Sequence, residues 1–414
     1  MSGAERCLLS LLDGLPPTAS AAAVASPEGP LAEAVRNRRL PFVEIGGTDA
    51  SLRLHPRHTS RALTDLSRTA LHLRKLARSM GVHLVHANSI RAGLIAAFAT
   101  RAGGPPAVVS FHDRLPAGAV SSLTLRLINS GVSAILACSD YTAQQARASD
   151  SSALVRVVYN PVDFERFDPS VVTREKARVR LGLDESAVIL AVVAQLTPWK
   201  AQDDAIRILA HLRRRQLNAR LLLAGSAKFI SRATRYDNDA YRAWLGKLAL
   251  ALEVERYVHF LGERDDVADI FAAADVALLP SWEEPFGRSI VEAMAMTRPV
   301  VATNVGGPPE ILTHGKEGLL LPPRAPELWA HTIEDLIEDP DTRAALGQAG
   351  RRRVVAQFSV ARHVEAVLDV YSEAVRRRTP SSGGVDTASP TSAGSSVRSA
   401  HPAAHRRDRT PSRT

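Results

Sequence analysis

The sequence predicts an α/β protein with parallel sheets and covering helices, and three observations lead there. Short apolar runs alternate with helix-period patterns through most of the chain, the pattern of repeated β-α-β units. At 414 residues the chain is long enough for two domains and a tail. An apolar run at 276–279 ends at Pro280, a loop leads to Gly287, and a helical pattern runs from Arg288 to Met296: a buried strand, a tight turn and a helix start in register.

Composition narrows the class. Hydrophobic residues at 45% and charged residues at 23% describe a soluble globular chain. The two cysteines, Cys7 and Cys138, form no C-x-x-C pair, so neither a disulfide framework nor a thiolate metal site is supported, and a reducing cytoplasm fits. No charged-then-apolar secretory start and no bilayer-length apolar span is read. The expected location is the cytoplasm, with the inner face of the plasma membrane as a peripheral option. Eight arginines from Arg376 to Arg413, against Asp386 and Asp408, put six of the nine net positive charges in the last 39 residues. The body is then only slightly basic, and nucleic acid is not an expected partner.

Residues 1–15 open with a glycine loop leading into an apolar helix. Strands are expected at 22–25, 41–45, 82–87, 107–111, 134–137 and 155–159, and a helix is expected after Asn88 and Ser89. The helix at 64–80 repeats Leu66, Ala70, Leu73 and Ala77, with Arg68, His72, Lys75 and Arg78 elsewhere around it. It is either a plain covering helix with a solvated face or a basic face for anionic lipid. His112 falls at the carboxyl end of the 107–111 strand, where open parallel sheets bind ligands. It either donates to a substrate or is satisfied locally by backbone. The turn Asn160-Pro161-Val162-Asp163 precedes a hinge or linker at 164–172. Further strands are expected at 188–194, 221–225 and 258–262, with Lys200 in the loop before a helix from Asp203. The triplet Asp237-Asn238-Asp239 precedes a helix, and Asp239 is expected as its N-cap. From Thr379 the Ser, Pro, Gly and Arg-rich sequence cannot bury enough apolar area to order itself.

The stretch 279–312 organises the rest. The amides of Gly287, Arg288 and Ser289 are the first, unpaired donors of a helix at its positive dipole end, so an anion, and a phosphate above all, is the expected guest. Glu284 lies just before the turn and Glu292 about one turn in, roughly 10 Å apart if the gap is mostly helical. Carboxylates accept from vicinal hydroxyls, so one suits a ribose and the other a hexose.

The string S-x-x-E-P-F-G-x-x-x-x-E-A-M at 281–294, followed by P-V-V-A-T and G-G-x-x-E, resembles the signature of the family 4 retaining glycosyltransferases. The resemblance implies the GT-B architecture, two Rossmann-like domains facing across a cleft. Residues 1–168 would form the acceptor domain and 169–358 the donor-nucleotide domain. A helix at 359–378 would cross back, and a basic tail would occupy 379–414. It implies transfer of a hexose from a UDP- or GDP-linked donor to a glycan or lipid-linked acceptor, in cell-surface polysaccharide or glycolipid synthesis, with retention and no covalent enzyme residue. Glu284, His112 and Lys200 would be catalytic. Gly3, Gln195, Lys200, Arg264, Phe286, Gly287, Arg288, Ser289 and Glu292 would bind the donor. Neither cofactor nor metal is expected: the literal D-x-D at 237–239 holds metal in a different glycosyltransferase fold.

Three departures carry expectations of their own. Gly3-Ala4-Glu5 matches a G-G-x-E loop that follows the first strand of the first domain, so that strand is expected to be missing, with a misplaced start codon as the first explanation and true truncation as the second. Gln195 stands where the family pattern has arginine, leaving one charge fewer for the diphosphate, with Arg288 as a partial replacement. Thr297 replaces a glycine. Two other readings stay in view: a nucleotide-sugar binding protein without transfer, suggested by Gln195, and another enzyme on this scaffold, such as an epimerase or phosphorylase, which the paired glutamates disfavour.

Overall fold

The computed structural model describes residues 1–17, 23–46, 56–149, 152–227 and 236–377, with side chains from residue 64 onward in the helix Pro56–Ser79. Residue 22 of the expected 22–25 strand and the tail at 379–414 lie outside the described residues. Among the described residues twelve strands follow in chain order. The first six are β1 (Val24–Ser26), β2 (Phe42–Glu44), β3 (Val85–Ala87), β4 (Ala107–Phe111), β5 (Ala134–Ala137) and β6 (Leu154–Val157). The second six are β7 (Val188–Val193), β8 (Ala219–Ala224), β9 (Val258–Gly262), β10 (Val276–Leu279), β11 (Val300–Thr303) and β12 (Leu319–Leu321). Every pairing between them is parallel.

The second half forms one sheet of order β12-β11-β10-β7-β8-β9. Counted from β7 this is the doubly wound Rossmann order, and its switch point lies between β7 and β10. Leu190, Val192, Leu221 and Leu223 face one apolar cluster, while Ile189, Ala191 and Leu222 face another. Burial on both faces is why these strands read as continuous apolar runs. The first half is divided into a sheet of β1-β2 and a sheet of β3-β4-β5-β6. Among the described residues no strand pairs β1 with β3.

Several local expectations need correction. The 82–87 run becomes strand only from Val85, because the Val82 N–H closes the preceding helix on the Ala77 carbonyl at 3.1 Å. Gly3 is not in a loop. It is the first residue of the helix Gly3–Gly14, where Ser2 and Glu5 cap each other's backbone N–H groups in a capping box. Asp237, not Asp239, caps the helix Asn238–Ala251 by accepting from the Ala240 N–H at 2.9 Å. Thr297, which stands where the family pattern has glycine, adopts φ of +60°, and Ala201 adopts φ of +54°. This left-handed backbone costs a side chain about 1–2 kcal/mol.

Helix Val360–Arg376 returns to the first half, where Val364, Val367 and Val370 pack with Leu11, Val108 and Leu136. The Val162 N–H donates to the Phe358 carbonyl at 2.8 Å, tying the returning chain to the segment that joins the halves. Among the described residues no helix is long and apolar enough to cross a membrane.

Candidate active site

Gly287 is the N-cap of the helix Arg288–Ala295 and has φ +106°, a conformation that favours glycine. The loop before it is pinned from behind. The Gly307 N–H donates to the Glu284 carbonyl at 2.8 Å, and a Cβ on Gly306 would lie 2.1 Å from that same oxygen. Only glycine lets these two backbones approach so closely. Glu284, 6% exposed, accepts from Lys200 Nζ at 2.5 Å and from Ser281 Oγ at 3.1 Å. Lys200 also lies over the Trp199 ring, 4.0 Å from its centroid, a cation–π contact.

A cavity of about 250 Å³ opens at the carboxyl ends of β7 and β8, beside the start of the Arg288–Ala295 helix. This is the crevice in which open parallel sheets take ligands. Of the expected donor residues, Gly3, Gln195, Arg264, Arg288, Ser289 and Glu292 line it. Arg288 donates to Glu292 at 2.9 Å and to the Gly3 carbonyl at 2.6 Å, and its Nε is buried without a partner. Arg264 makes a bidentate pair with Asp266.

Other expected residues lie elsewhere. Glu284, Lys200 and Gly287 are not on the cavity wall; the Lys200–Glu284 pair is placed just ahead of the Gly287 turn. Phe286 does not line the cavity: at 2% exposure it stacks on Tyr159 and packs against Phe358, with centroids 5.9 and 6.0 Å away. An aromatic ring between two others is held there by the area it buries.

His112 lines a separate void of about 10 Å³ under helix Gly3–Gly14, together with His86, His363, Cys7 and Cys138. Asn88 donates to the Ala4 carbonyl at 2.9 Å, so its amide oxygen, 3.0 Å from His112 Nε2, accepts a hydrogen bond from that nitrogen. Nδ1 is left buried without a partner. Burial, helped by Arg288 and His363, pushes the His112 pKa down to about 4, so the ring is neutral. A role for His112 as donor to a substrate therefore requires the Asn88 bond to break.

Four residues escaped the sequence reading. Arg6 and Arg166 line the larger cavity. Asp113, solvent-accessible at the end of β4, has its carboxyl held above the usual range by the surrounding protein; Lys200 lowers it and Glu284 raises it, which places all three in one neighbourhood. Glu310 reaches from the second half to the first, accepting from the Asp140 and Tyr141 N–H groups at 2.7 and 2.9 Å. It thereby caps the helix Asp140–Arg147 with negative charge. Ser139 Oγ donates to the Pro285 carbonyl at 2.5 Å beside it. Glu310 was visible as the last letter of G-G-x-x-E, but nothing local in sequence indicates its partner.

Two Rossmann-like halves with a ligand-sized cavity at the switch point define the GT-B glycosyltransferase fold. The models of two families match in succession, Glycosyltransferase Family 4 over residues 1–166 and Glycosyl transferases group 1 over 173–353. The chain belongs to this family of glycosyltransferases. Among curated relatives, the D-inositol 3-phosphate glycosyltransferase of Salinispora arenicola is 36% identical over 247 residues, 57% of this chain and 53% of that protein. The protein of the same description from Corynebacterium efficiens is 34% identical over 204 residues, 48% of this chain and 46% of that one. The chain thus spans about half the length of the curated relatives it matches. Among solved structures, Anabaena Alr3699/HepE in complex with UDP-glucose is 26% identical with a TM-score of 0.75, over 90% of this chain and 96% of that one. Sucrose-phosphate synthase from Thermosynechococcus elongatus shares the fold at 21% identity and a TM-score of 0.68, over 81% and 84%.

Proposed function

We propose that the protein moves a hexose from a UDP- or GDP-linked donor to a glycan or lipid-linked acceptor, with retention of configuration, in cell-surface polysaccharide or glycolipid synthesis. The observation that carries this reading is the cavity at the switch point. Its wall joins a helix start (Arg288, Ser289), guanidinium groups and two carboxylates, Glu263 and Glu292, and helix starts and guanidinium groups are the partners a nucleotide diphosphate needs.

Glu292 holds the ribose. The amides from Gly287 to Ser289 and the Lys200 ammonium stabilise the departing diphosphate, and Glu284 orients the hexose. His112 lines the sugar from the first half once its Asn88 bond opens. The departing phosphate itself helps deprotonate the acceptor, so no covalent residue takes part. Catalysis is then positioning and charge stabilisation, and side-chain cations carry that charge without a metal. The UDP and UDP-glucose complexes of the Anabaena relative support a nucleotide-sugar donor. The acceptor is met at the cytoplasmic membrane face, where Arg68, Lys75 and the 54% exposed Leu71 on helix Pro56–Ser79 suit anionic lipid. A second reading, binding without transfer, draws on Gln195 and on the closed Lys200–Glu284 pair.

The test is a thermal-shift panel of UDP, GDP, ADP and their sugars, followed by turnover of the donor that binds. Glu284→Gln and Glu292→Gln should each lower turnover roughly tenfold or more, because each loses a charge-assisted hydrogen bond. Unchanged turnover in both variants would falsify this placement of the site, and donor binding without consumption would favour the second reading.

A further inference from the structure

The wall of the larger cavity carries more positive charge than the donor residues read from sequence supply. Arg6 comes from helix Gly3–Gly14 of the first half and Arg166 from the segment joining the halves, and both line the cavity with Gln195, Arg288 and Ser289. Burial, and then the neighbouring Arg6 charge, hold the Arg166 guanidinium below the ordinary arginine range. The carboxylates of Glu292, Asp265 and Asp163 offset part of this crowding. Arg6 reaches Asp265 at 3.1 Å, but that carboxylate is 95% exposed, and exposed pairs contribute little. Arg166 donates to the Asp265 carbonyl, which carries no formal charge. The buried Arg288 Nε on the same wall has no partner at all. Four guanidinium groups, of Arg6, Arg166, Arg264 and Arg288, outnumber the two carboxylates of Glu263 and Glu292 on this wall, and an excess of positive charge in a partly desolvated cavity calls for an anion.

We infer that Arg6 and Arg166 form an anion subsite for the donor's diphosphate, contributing from outside the second half the charge that Gln195 does not carry. The inference rests on the nucleotide-sugar reading above. Planar guanidinium groups match phosphate oxygens two at a time, so the pair grips a diphosphate more firmly than the single lost side chain. Because the two arginines come from the first half and the joining segment, a bound diphosphate also draws the halves together.

Calorimetric titration of the full chain with UDP, GDP and inorganic pyrophosphate, with uridine and guanosine as controls, tests this. Arg6→Gln with Arg166→Gln should weaken diphosphate binding by roughly tenfold or more per arginine and leave nucleoside binding within about twofold. Adding Gln195→Arg to that double variant should recover at least tenfold, a rescue that a purely structural role for Arg6 and Arg166 does not produce. Should the unaltered protein bind UDP or GDP and the double variant bind them equally well, the subsite is refuted while the nucleotide-sugar reading stands. Loss of nucleoside and diphosphate binding together, without rescue, also refutes it. Failure of the unaltered protein to bind any of these ligands overturns both.

Discussion

Helix Gly3–Gly14 separates two cavities that handle charge in opposite ways. Gly3 and Arg6 face the larger, which Arg166, Arg264, Arg288, Glu263 and Glu292 also line. Cys7, Leu8 and Leu11 face the smaller, which has three histidines around room for about one water. On the small side burial keeps titratable groups uncharged, with His86 pushed down to about 3 and the Cys7 thiol up to about 11. The large side instead gathers four guanidinium groups against two carboxylates. The difference separates an open, charged wall from a neutral pocket that joins helix Val360–Arg376 to the first half. Of the histidines around the void, His363 belongs to that helix, and His86 contacts its Tyr371 at 2.5 Å.

The largest effect is expected where a cation and a carboxylate are paired for chemistry. Lys200→Ala removes the ammonium from Glu284 and leaves a 6% exposed carboxylate with Ser281 as its remaining partner. Loss of one group that stabilises developing charge lowers kcat about a hundredfold. Single-turnover kinetics on the donor should show that loss, whereas a change within about twofold would mean that Lys200 stands outside the reaction.

The small cavity should respond to pH instead. An unfolded histidine titrates near 6.5, but folded His86 takes up a proton only near pH 3 and His112 only near pH 4. In that window the unfolded chain binds protons that the folded chain refuses. Stability from these rings is therefore complete above pH 6.5, falls as pH drops towards 4 or 3, and levels off below. The slope is at most about 1.4 kcal/mol per pH unit for each ring. Denaturant unfolding from pH 7 to 5 should show the decline. His86→Gln should flatten it while holding kcat at pH 7.5 within about twofold. An unchanged slope would show that the His86 ring is not kept neutral by burial.

How far the sequence carried depends on whether a residue's neighbours are local. β4, β5 and β10 occupy the expected residues, since parallel strands inside a sheet must be continuously apolar over their buried length; β9, at the edge of its sheet, occupies its expected residues too. β12, of three residues, was missed because so short a run gives no periodicity to read. The Gly287 turn was legible because strand, glycine and helix start are adjacent in sequence. The partners of the same stretch were not: Phe286 meets Tyr159, Glu310 meets Asp140, and Arg288 meets Gly3. Arg166 looked like part of a linker and Arg6 like one charge on an apolar helix. Only the packing of the two halves places both on one cavity wall.

The smallest expected signal is a reaction that does not occur, and it tests whether the two cavities are kept apart. Cys7 and Cys138 are 4% and 3% exposed, and burial pushes their thiols up to about 11 and about 12. Fewer than about one thiol in a thousand is then ionised at pH 8, and the thiolate is the species that reacts. Iodoacetamide at pH 8 should leave the native protein unlabelled and modify both cysteines, the only two in the chain, after denaturation. If Cys7 labels in the native protein at the rate of free cysteine, helix Gly3–Gly14 lifts away in solution. The small cavity then communicates with the large one, and the neutral histidines beneath that helix come within reach of the donor's phosphates.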